Sequence, residues 1–467
     1  MLVLTAALAF IAYGSGLGVG FVSDDHYWLL SAVHGGWRQA FDLAPHSSAL
    51  PFELLLHSAK YGLFGFNAVG FHLLDLGAHI LVCFLLYRVA RGVGLPSPAA
   101  GAAALLGAVV TAPSQAVYWT SADEHVMATL GALAALALYF EYRTSGRRLF
   151  FAAAILLALI AALTKFEGTA VVFGVLAYEL VWRPTRGRQG GSLLALRVAP
   201  FAVAAALFYA WEISATDRLR SAAQVGPHMF LRAGQVLRAI VLPYNPSDLL
   251  APAHTNRALA WLAALAAVGV AALLVVCIVA AFARPSVVGL GLLWVGPQLP
   301  TLSLTDPLQG RYTYLPALVT FLFVASGAVV LLEWLAARKL PATLVQAAAA
   351  VALVGLLAVS IRGTAQASAA LKATERESRA FSSAVLKDHP VLFLHTTIFL
   401  IGSPLDVGSA TWVFADPRLG PQVYDNVPAI EHAPSLDAVA LRRPPPPILI
   451  YEREPTGAYV ERFLSIP

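Results

Sequence analysis

The sequence predicts an all-α polytopic membrane protein with a small C-terminal α/β domain, and three observations predict it. Of 467 residues, 58% are hydrophobic and 12% charged, with a mean hydropathy of +0.71, well above the range of soluble globular chains. Uncharged runs of about 18 to 25 residues recur, each long enough to cross roughly 30 Å of hydrocarbon as a helix. From residue 362 onward the pattern changes to an amphipathic helix followed by short apolar runs separated by Gly, Pro and Asp.

About eleven transmembrane helices are expected, near residues 2–22, 67–87, 99–118, 125–142, 149–164, 166–182, 198–212, 258–283, 286–304, 313–337 and 342–361. The first run lacks a basic leading region and ends in "GLGVGFVSDDH", a poor cleavage site, so it reads as a retained helix. Cys83 and Cys277 fall inside apolar runs and read as small buried hydrophobes with no disulfide framework. The net charge of +5 is spread over the loops without a basic patch, which argues against a nucleic-acid partner.

Loop charge sets the expected orientation. With the N-terminus cytoplasmic, one set of loops holds Arg88, Arg91, Arg143, Arg147, Arg148, Arg183, Arg186, Arg188, Arg197, Arg284, Arg338 and Lys339 with almost no acid. The opposite loops carry the acids, so the positive-inside rule places them and the tail outside, in the periplasm if the membrane is a bacterial inner membrane. The membrane domain is then residues 1–361, with long outer loops at 23–66 and 213–257, and the extracytoplasmic domain is 362–467. Within the first outer loop, "WLLSAVHGGWRQAF" and "PFELLLHSAKYGLFGF" read as amphipathic helices in the headgroup layer, as anchors or as the roof of a cleft. "RRPPPP" at 442–447 reads as a stiff polyproline connection. No internal repeat is evident.

The ionisable residues cluster at outer helix ends. Asp24, Asp25 and His26 follow the first helix, and Asp123, Glu124 and His125 follow the third, repeating the order acid, acid, histidine. A solvated helix end accounts for either alone; two on one side could supply a general base and a network for hydroxyls or a metal. Lys165 and Glu167 interrupt an apolar run, as an ion pair or a ligand contact, and the lysine suits a phosphate. Arg311, beside Tyr312 and Tyr314, also suits a lipid phosphate, while the tyrosines suit an aromatic belt. His72, Asp75 and His79 share one face of the second helix, but the two imidazoles stand two turns apart. Hydrogen bonding between helices is therefore expected there, ahead of a metal.

Five segments resemble the GT-C superfamily of polytopic glycosyltransferases, in the branch of the protein O-mannosyltransferases and the tetratricopeptide-linked transmembrane mannosyltransferases. They are "SDDHYW", "LFGFNAVGFHLLDLGAHILVCFLLYRV", "PSQAVYWTSADEHVMATLGALAALALYF", "LTKFEGTAVV" and "GRYTYLP", in family order over roughly residues 20 to 320. The tail carries no tetratricopeptide repeats. The resemblance implies that Asp24 or Asp25 deprotonates an acceptor hydroxyl, that Lys165, Arg311 and Tyr312 hold the donor phosphate, and that His26, Asp123, Glu124, His125 and Glu167 contact sugar or acceptor. It implies a polyprenyl-phosphate sugar donor, membrane lipids as surroundings, and a protein, lipid or glycan acceptor. No catalytic metal is required in that branch, whereas the oligosaccharyltransferase branch would place a divalent cation, magnesium or manganese, at the acidic clusters. A lipid-linked sugar flippase would instead need polar groups near mid-membrane. A surface-polysaccharide polymerase or ligase would rely on an Arg- and His-rich outer loop, of which Arg218, Arg220, His228, Arg232, Arg238 and His254 are a faint version. A degenerate member of the fold that only scaffolds partners is the remaining reading.

Overall fold

The computed structural model describes residues 1–41, 51–111, 113–182, 190–215, 229–231, 233–235, 272–284, 286–296, 310–338, 341–442 and 447–463. Most of the second long outer loop, including the Arg and His residues read as polymerase-like, and most of "RRPPPP" lie outside the described residues.

The apolar runs fold as helices because the chain satisfies its own backbone groups where no water is present to do so. In chain order they are α1 (Leu2–Tyr13), α2 (Asp25–His34), α3 (Pro51–Phe64), α4 (Ala68–Gly92), α5 (Ser97–Gly107), α6 (Gln115–Tyr118), α7 (Glu124–Ser145), α8 (Arg148–Ala162), α9 (Ala170–Ala177), α10 (Gly190–Ala215), α11 (Ala272–Ala281), α12 (Ser286–Val295), α13 (Tyr314–Ala337) and α14 (Ala342–Asp388). Among the described residues, five helical stretches are long and apolar enough to cross a membrane: 68–92, 120–145, 191–211, 310–337 and 343–388. Shorter apolar helices lie at 2–18, 97–107, 148–162 and 272–281. The apolar run at 166–182 is not one helix: a 3-10 turn at Phe166–Thr169 leads into α9, and a π-helical turn at Tyr178–Trp182 follows it.

Small residues let these helices approach closely, which in a bilayer supplies contact that the hydrophobic effect does not. Ala100, Ala103 and Ala104 of α5 are fully buried, and a side chain at Gly107 would meet Leu318 of α13 at 3.0 Å. α7 ends where Gly146 adopts a left-handed conformation, φ +71°, and its amide caps the Tyr142 carbonyl.

The sequence-based domain boundary at 361/362 falls inside a single helix. α14 runs unbroken for 47 residues, about 70 Å, so it spans the bundle and continues out of it. Its last turns bury Phe381 and Val385 in the core of an α/β unit. There β1 (Thr397–Ile401), β2 (Ala429–Ala433), β3 (Ile448–Arg453) and β4 (Tyr459–Glu461) form a sheet in the order β2-β1-β3-β4. β1 pairs in parallel with β2 and β3, and β4 runs antiparallel to β3. The central strand, TIFLI, is almost wholly buried, as a strand covered on both faces should be. Of the apolar runs expected in this unit, "IFLIG" and "ILIYER" contain strands, whereas "TWVFA" is helical and "VLFLH" forms neither.

Candidate active site

Asp24 caps α2 and Asp25 opens it, and the turn that presents them is strained. Ser23 has φ +51°, a left-handed conformation that a residue with a Cβ seldom adopts and that clusters at functional sites. Asp25 is buried and fully bonded. Its Oδ2 accepts the Val22 amide at 2.9 Å, and its Oδ1 accepts the Ser121 amide at 2.7 Å as well as the Ser121 hydroxyl. Ser121 precedes Asp123, so this bond brings the two acid-acid-histidine motifs side by side. Burial outweighs the three donors and pushes the Asp25 carboxyl up to about 7. Asp24 differs: its Oδ1 is buried with no hydrogen-bond partner among the described residues. Burial raises its pKa too, opposed chiefly by the Arg311 guanidinium.

α3 contributes what sequence reasoning missed. Its amide at Phe52 bonds the Leu163 carbonyl at 3.2 Å, fixing the helix against the end of α8. Glu53, His57 and Lys60, spaced i, i+4 and i+7, therefore share an inward face and are all buried. Lys60 Nζ lies 2.5 Å from Asp75 Oδ1 and also bonds Asp123 Oδ2. Burial alone would lower the pKa of this ammonium, but the two carboxylates hold it above the ordinary lysine value. His57 Nε2 stands 3.8 Å from Asp123 Oδ1, and its ring stacks on Trp28 at 5.2 Å and 9°. Burial, then Lys60, lowers the His57 pKa to about 3, so this imidazole is neutral. The spacing was the available signal: charged groups on one helical face in an apolar chain are seldom solvated. This corrects the expectation that the helix serves merely as an interfacial anchor.

The Lys-Glu turn follows α8. The Lys165 amide bonds the Ala161 carbonyl at 3.1 Å, and a Cβ at Gly168 would fall 2.1 Å from backbone atoms of α8, so only glycine permits this packing. Lys165 Nζ lies 3.1 Å from Glu124 Oε1, and Glu167 Oε1 lies 2.5 Å from His125 Nδ1. Lys165 and Glu167, considered as a mutual ion pair from sequence, instead engage different partners. Burial lowers the Lys165 pKa, but Glu124, Glu53 and Tyr312 raise it by more, so the side chain is cationic. Arg311 lies with its guanidinium carbon 4.4 Å from the Trp119 ring centroid and 5.4 Å from that of Tyr312. Its Nη1 has no hydrogen-bond partner. The Tyr312 ring packs edge-on against His125 at 5.4 Å.

One end of the bundle thus gathers Asp24, Asp25, Lys60, Asp123, Glu124, His125, Lys165, Glu167 and Arg311. Among the described residues, buried atoms without a hydrogen-bond partner recur there: Asp24 Oδ1, Glu124 Oε2, His125 Nε2, Glu167 Oε2 and Arg311 Nη1. Buried polar atoms normally find partners, so such a concentration marks a place built for a polar ligand or water. His26 stands apart, its Nδ1 3.4 Å from Asp416 of the C-terminal unit. His72, Asp75 and His79 bond separately, to the Val19 carbonyl at 2.9 Å, to Lys60, and to the Tyr314 hydroxyl at 2.5 Å, as expected of hydrogen bonding between helices.

Several carboxylates of this cluster are already engaged by protein cations or donors. The ammonium of Lys60 sits on Asp75 and Asp123, that of Lys165 sits on Glu124, and Asp25 is committed to amides and a hydroxyl. Among the described residues no three His, Cys, Asp or Glu side chains are grouped to hold a metal.

The fold is similar to that of an archaeal oligosaccharyltransferase and of ArnT, and the apolar helices of spanning length mark the chain as an integral membrane protein. Three solved structures carry the likeness. The oligosaccharyltransferase of Archaeoglobus fulgidus, tethered to an acceptor peptide containing the NVT sequon, superposes with TM-score 0.53 at 13% identity over 92% of this chain. AglB from the same organism, with an inhibitory peptide and a dolichol-phosphate, gives 0.51 at 14% over 92%. ArnT from Cupriavidus metallidurans in the apo state gives 0.50 at 14% over 97%. The chain spans 63% and 64% of the two oligosaccharyltransferase chains and 93% of ArnT. At such identities the likeness is one of fold. No family model matches the chain, and no curated protein matches it in sequence.

Proposed function

We propose that the protein is an inverting glycosyltransferase that moves a sugar from a polyprenyl-phosphate carrier to an acceptor hydroxyl outside the cytoplasm. The observation that carries this reading is the pairing, at one end of the bundle, of a carboxylate oxygen without a hydrogen-bond partner on Asp24 with the cations Arg311 and Lys165. Asp24 takes the proton of the acceptor hydroxyl as its oxygen attacks the anomeric carbon. The bond from that carbon to the phosphate oxygen breaks, and the polyprenyl phosphate leaves with the electron pair. Its charge grows as the bond breaks, so Arg311, Lys165 and the Tyr312 hydroxyl stabilise the transition state more than the ground state. Glu124, His125 and Glu167 orient hydroxyls of sugar or acceptor. Asp123, fully buried and locked to Lys60, shapes the wall from behind.

The fold likeness to AglB, whose structure holds a dolichol-phosphate, supports a lipid-phosphate donor. The mannosyltransferase branch is the narrower reading, resting on the sequence motifs. Outward orientation rests on loop charge: Glu124 and Arg143 lie at opposite ends of α7, roughly 30 Å apart, and the arginine end joins the basic loops. Polar groups gathered at one end of the bundle favour an enzyme over a flippase. The test is transfer or hydrolysis of labelled sugar from a panel of polyprenyl-phosphate donors by purified protein. Loss of about a hundredfold or more in Asp24→Asn and Arg311→Ala is expected. Transbilayer movement of labelled donor without turnover would overturn the enzyme in favour of the flippase.

A further inference from the structure

We infer that the C-terminal α/β unit is a working part of the site: Asp416 is a positioning residue that, through His26, holds the turn carrying Asp24 and Asp25. This rests on the proposed transferase reading. Consecutive helical residues point about 100° apart, and α2 uses that offset to be gripped from two directions. Asp25 is hydrogen-bonded to Ser121 of the membrane bundle, while its neighbour His26 stands with Nδ1 3.4 Å from Asp416 Oδ2 of the C-terminal unit, at ion-pair distance, His26 being 4% and Asp416 6% exposed. Asp416 is itself set rigidly. It accepts the Arg418 amide at 2.9 Å at the start of a 3-10 turn, and the Arg418 guanidinium lies across both its oxygens, with Nε at 2.8 and 3.0 Å.

Further contacts run along the same seam. The Tyr27 and Trp412 rings lie 5.2 Å apart, His34 Nε2 stands 3.2 Å from the Tyr424 hydroxyl, and Arg418 lies over the Phe66 ring at 5.6 Å. At the root of the turn, the Gly20 amide donates to Glu375 of α14 at 2.7 Å, and a Cβ there would fall 2.1 Å from that carboxylate. The left-handed Ser23 is thereby enclosed between anchored neighbours, which is what a strained residue requires in order to persist.

The experiment compares Asp416→Asn, His26→Gln and the double variant in the full-length protein. Each single variant is expected to lower kcat by about tenfold or more with KM for the donor unchanged within about twofold, because the base is displaced while phosphate contacts remain. The double variant should lose no more than the worse single, and Asp416→Glu should recover most of the loss. Hydrogen exchange at the amides of residues 23–34 should accelerate by about tenfold in Asp416→Asn. Wild-type kcat and exchange in Asp416→Asn, multiplicative losses in the double variant, or a raised donor KM in His26→Gln alone would overturn the inference, the last by making His26 a sugar contact. Should Asp416→Asn fail to fold, Tyr424→Phe, which removes one hydroxyl at the exposed edge of the seam, must accelerate exchange at the C-terminal end of α2. Unchanged exchange there sinks the inference. If wild type turns over no donor, the transferase reading fails, while exchange still decides whether the C-terminal unit holds α2.

Discussion

Ser121 donates its backbone amide to Asp25 Oδ1 at 2.7 Å, joining two residues 96 positions apart in sequence and tying the start of α2 to the turn before α7. That bond separates the roles of two adjacent carboxylates. Asp25 has both oxygens engaged, while Asp24 keeps one oxygen without a hydrogen-bond partner. Asp25→Ala strands the Val22 and Ser121 amides and should cost about 1–3 kcal/mol of stability along with activity. Asp24→Asn should lose activity with its melting temperature little changed. Thermal melts beside initial rates check this, and equal destabilisation by both variants would refute the division.

Asp25 also predicts a pH dependence of stability. Its carboxyl titrates at about 7 in the folded chain and near 3.9 when unfolded, so the folded state holds the proton more tightly. The resulting stabilisation is fully present below about pH 4 and is lost as pH rises through about 7, by on the order of 4 kcal/mol. Asp25→Asn cannot titrate. Melts in detergent at pH 5 and pH 8 should show a smaller decline in the variant than in wild type, and parallel declines would count against the burial of an ionisable group here.

Lys60 is expected to be indispensable for folding. Lys60→Met leaves Asp75 and Asp123 facing each other without their cation and should destabilise the protein by about 3–5 kcal/mol, the range for breaking a buried pair on one side only. Adding Asp123→Asn should recover part of that loss. A double variant as unstable as the sum of its parts would show that the two residues are not coupled.

Chelation should be without effect. With Lys60 held on Asp75 and Asp123 and Lys165 on Glu124, protein cations already balance three of the carboxylates, and EDTA is expected to leave transfer rates within about twofold. Loss of activity on chelation, restored by magnesium or manganese, would mean that the lysines move aside.

The turn after α8 offers a steric prediction. Gly168→Ala places a methyl group 2.1 Å from the backbone near Ala161 and should destabilise the protein by about 1–3 kcal/mol while displacing Lys165. Donor KM should rise more than kcat falls if Lys165 binds the phosphate in the ground state as well. Unchanged stability would show that α8 can yield.

Much of this protein was legible in its sequence because a bilayer imposes a strong local code: uncharged runs of spanning length, charges expelled to their ends, and a change of pattern where the chain leaves the membrane. The two acid-acid-histidine motifs, the Lys165 turn and Arg311 stood out for that reason. α3 was misjudged from the same code, since its alternation of polar and apolar residues suits a helix at the membrane surface as well as one turning Glu53, His57 and Lys60 inward. The boundary at 361/362 was placed inside α14 because hydropathy changes there while helix propensity does not.

By itself the sequence determined the solvent, the predominantly helical class and the end of the bundle where charge collects, since these follow from local composition and period. Only the tertiary structure decided that Lys60 neutralises Asp123, that Asp24 and not Asp25 keeps an oxygen without a partner, and that Asp416 reaches His26. Each of these depends on which polar groups, separated by between 15 and several hundred positions, packing brings within a few ångströms of one another, and no local pattern encodes that choice.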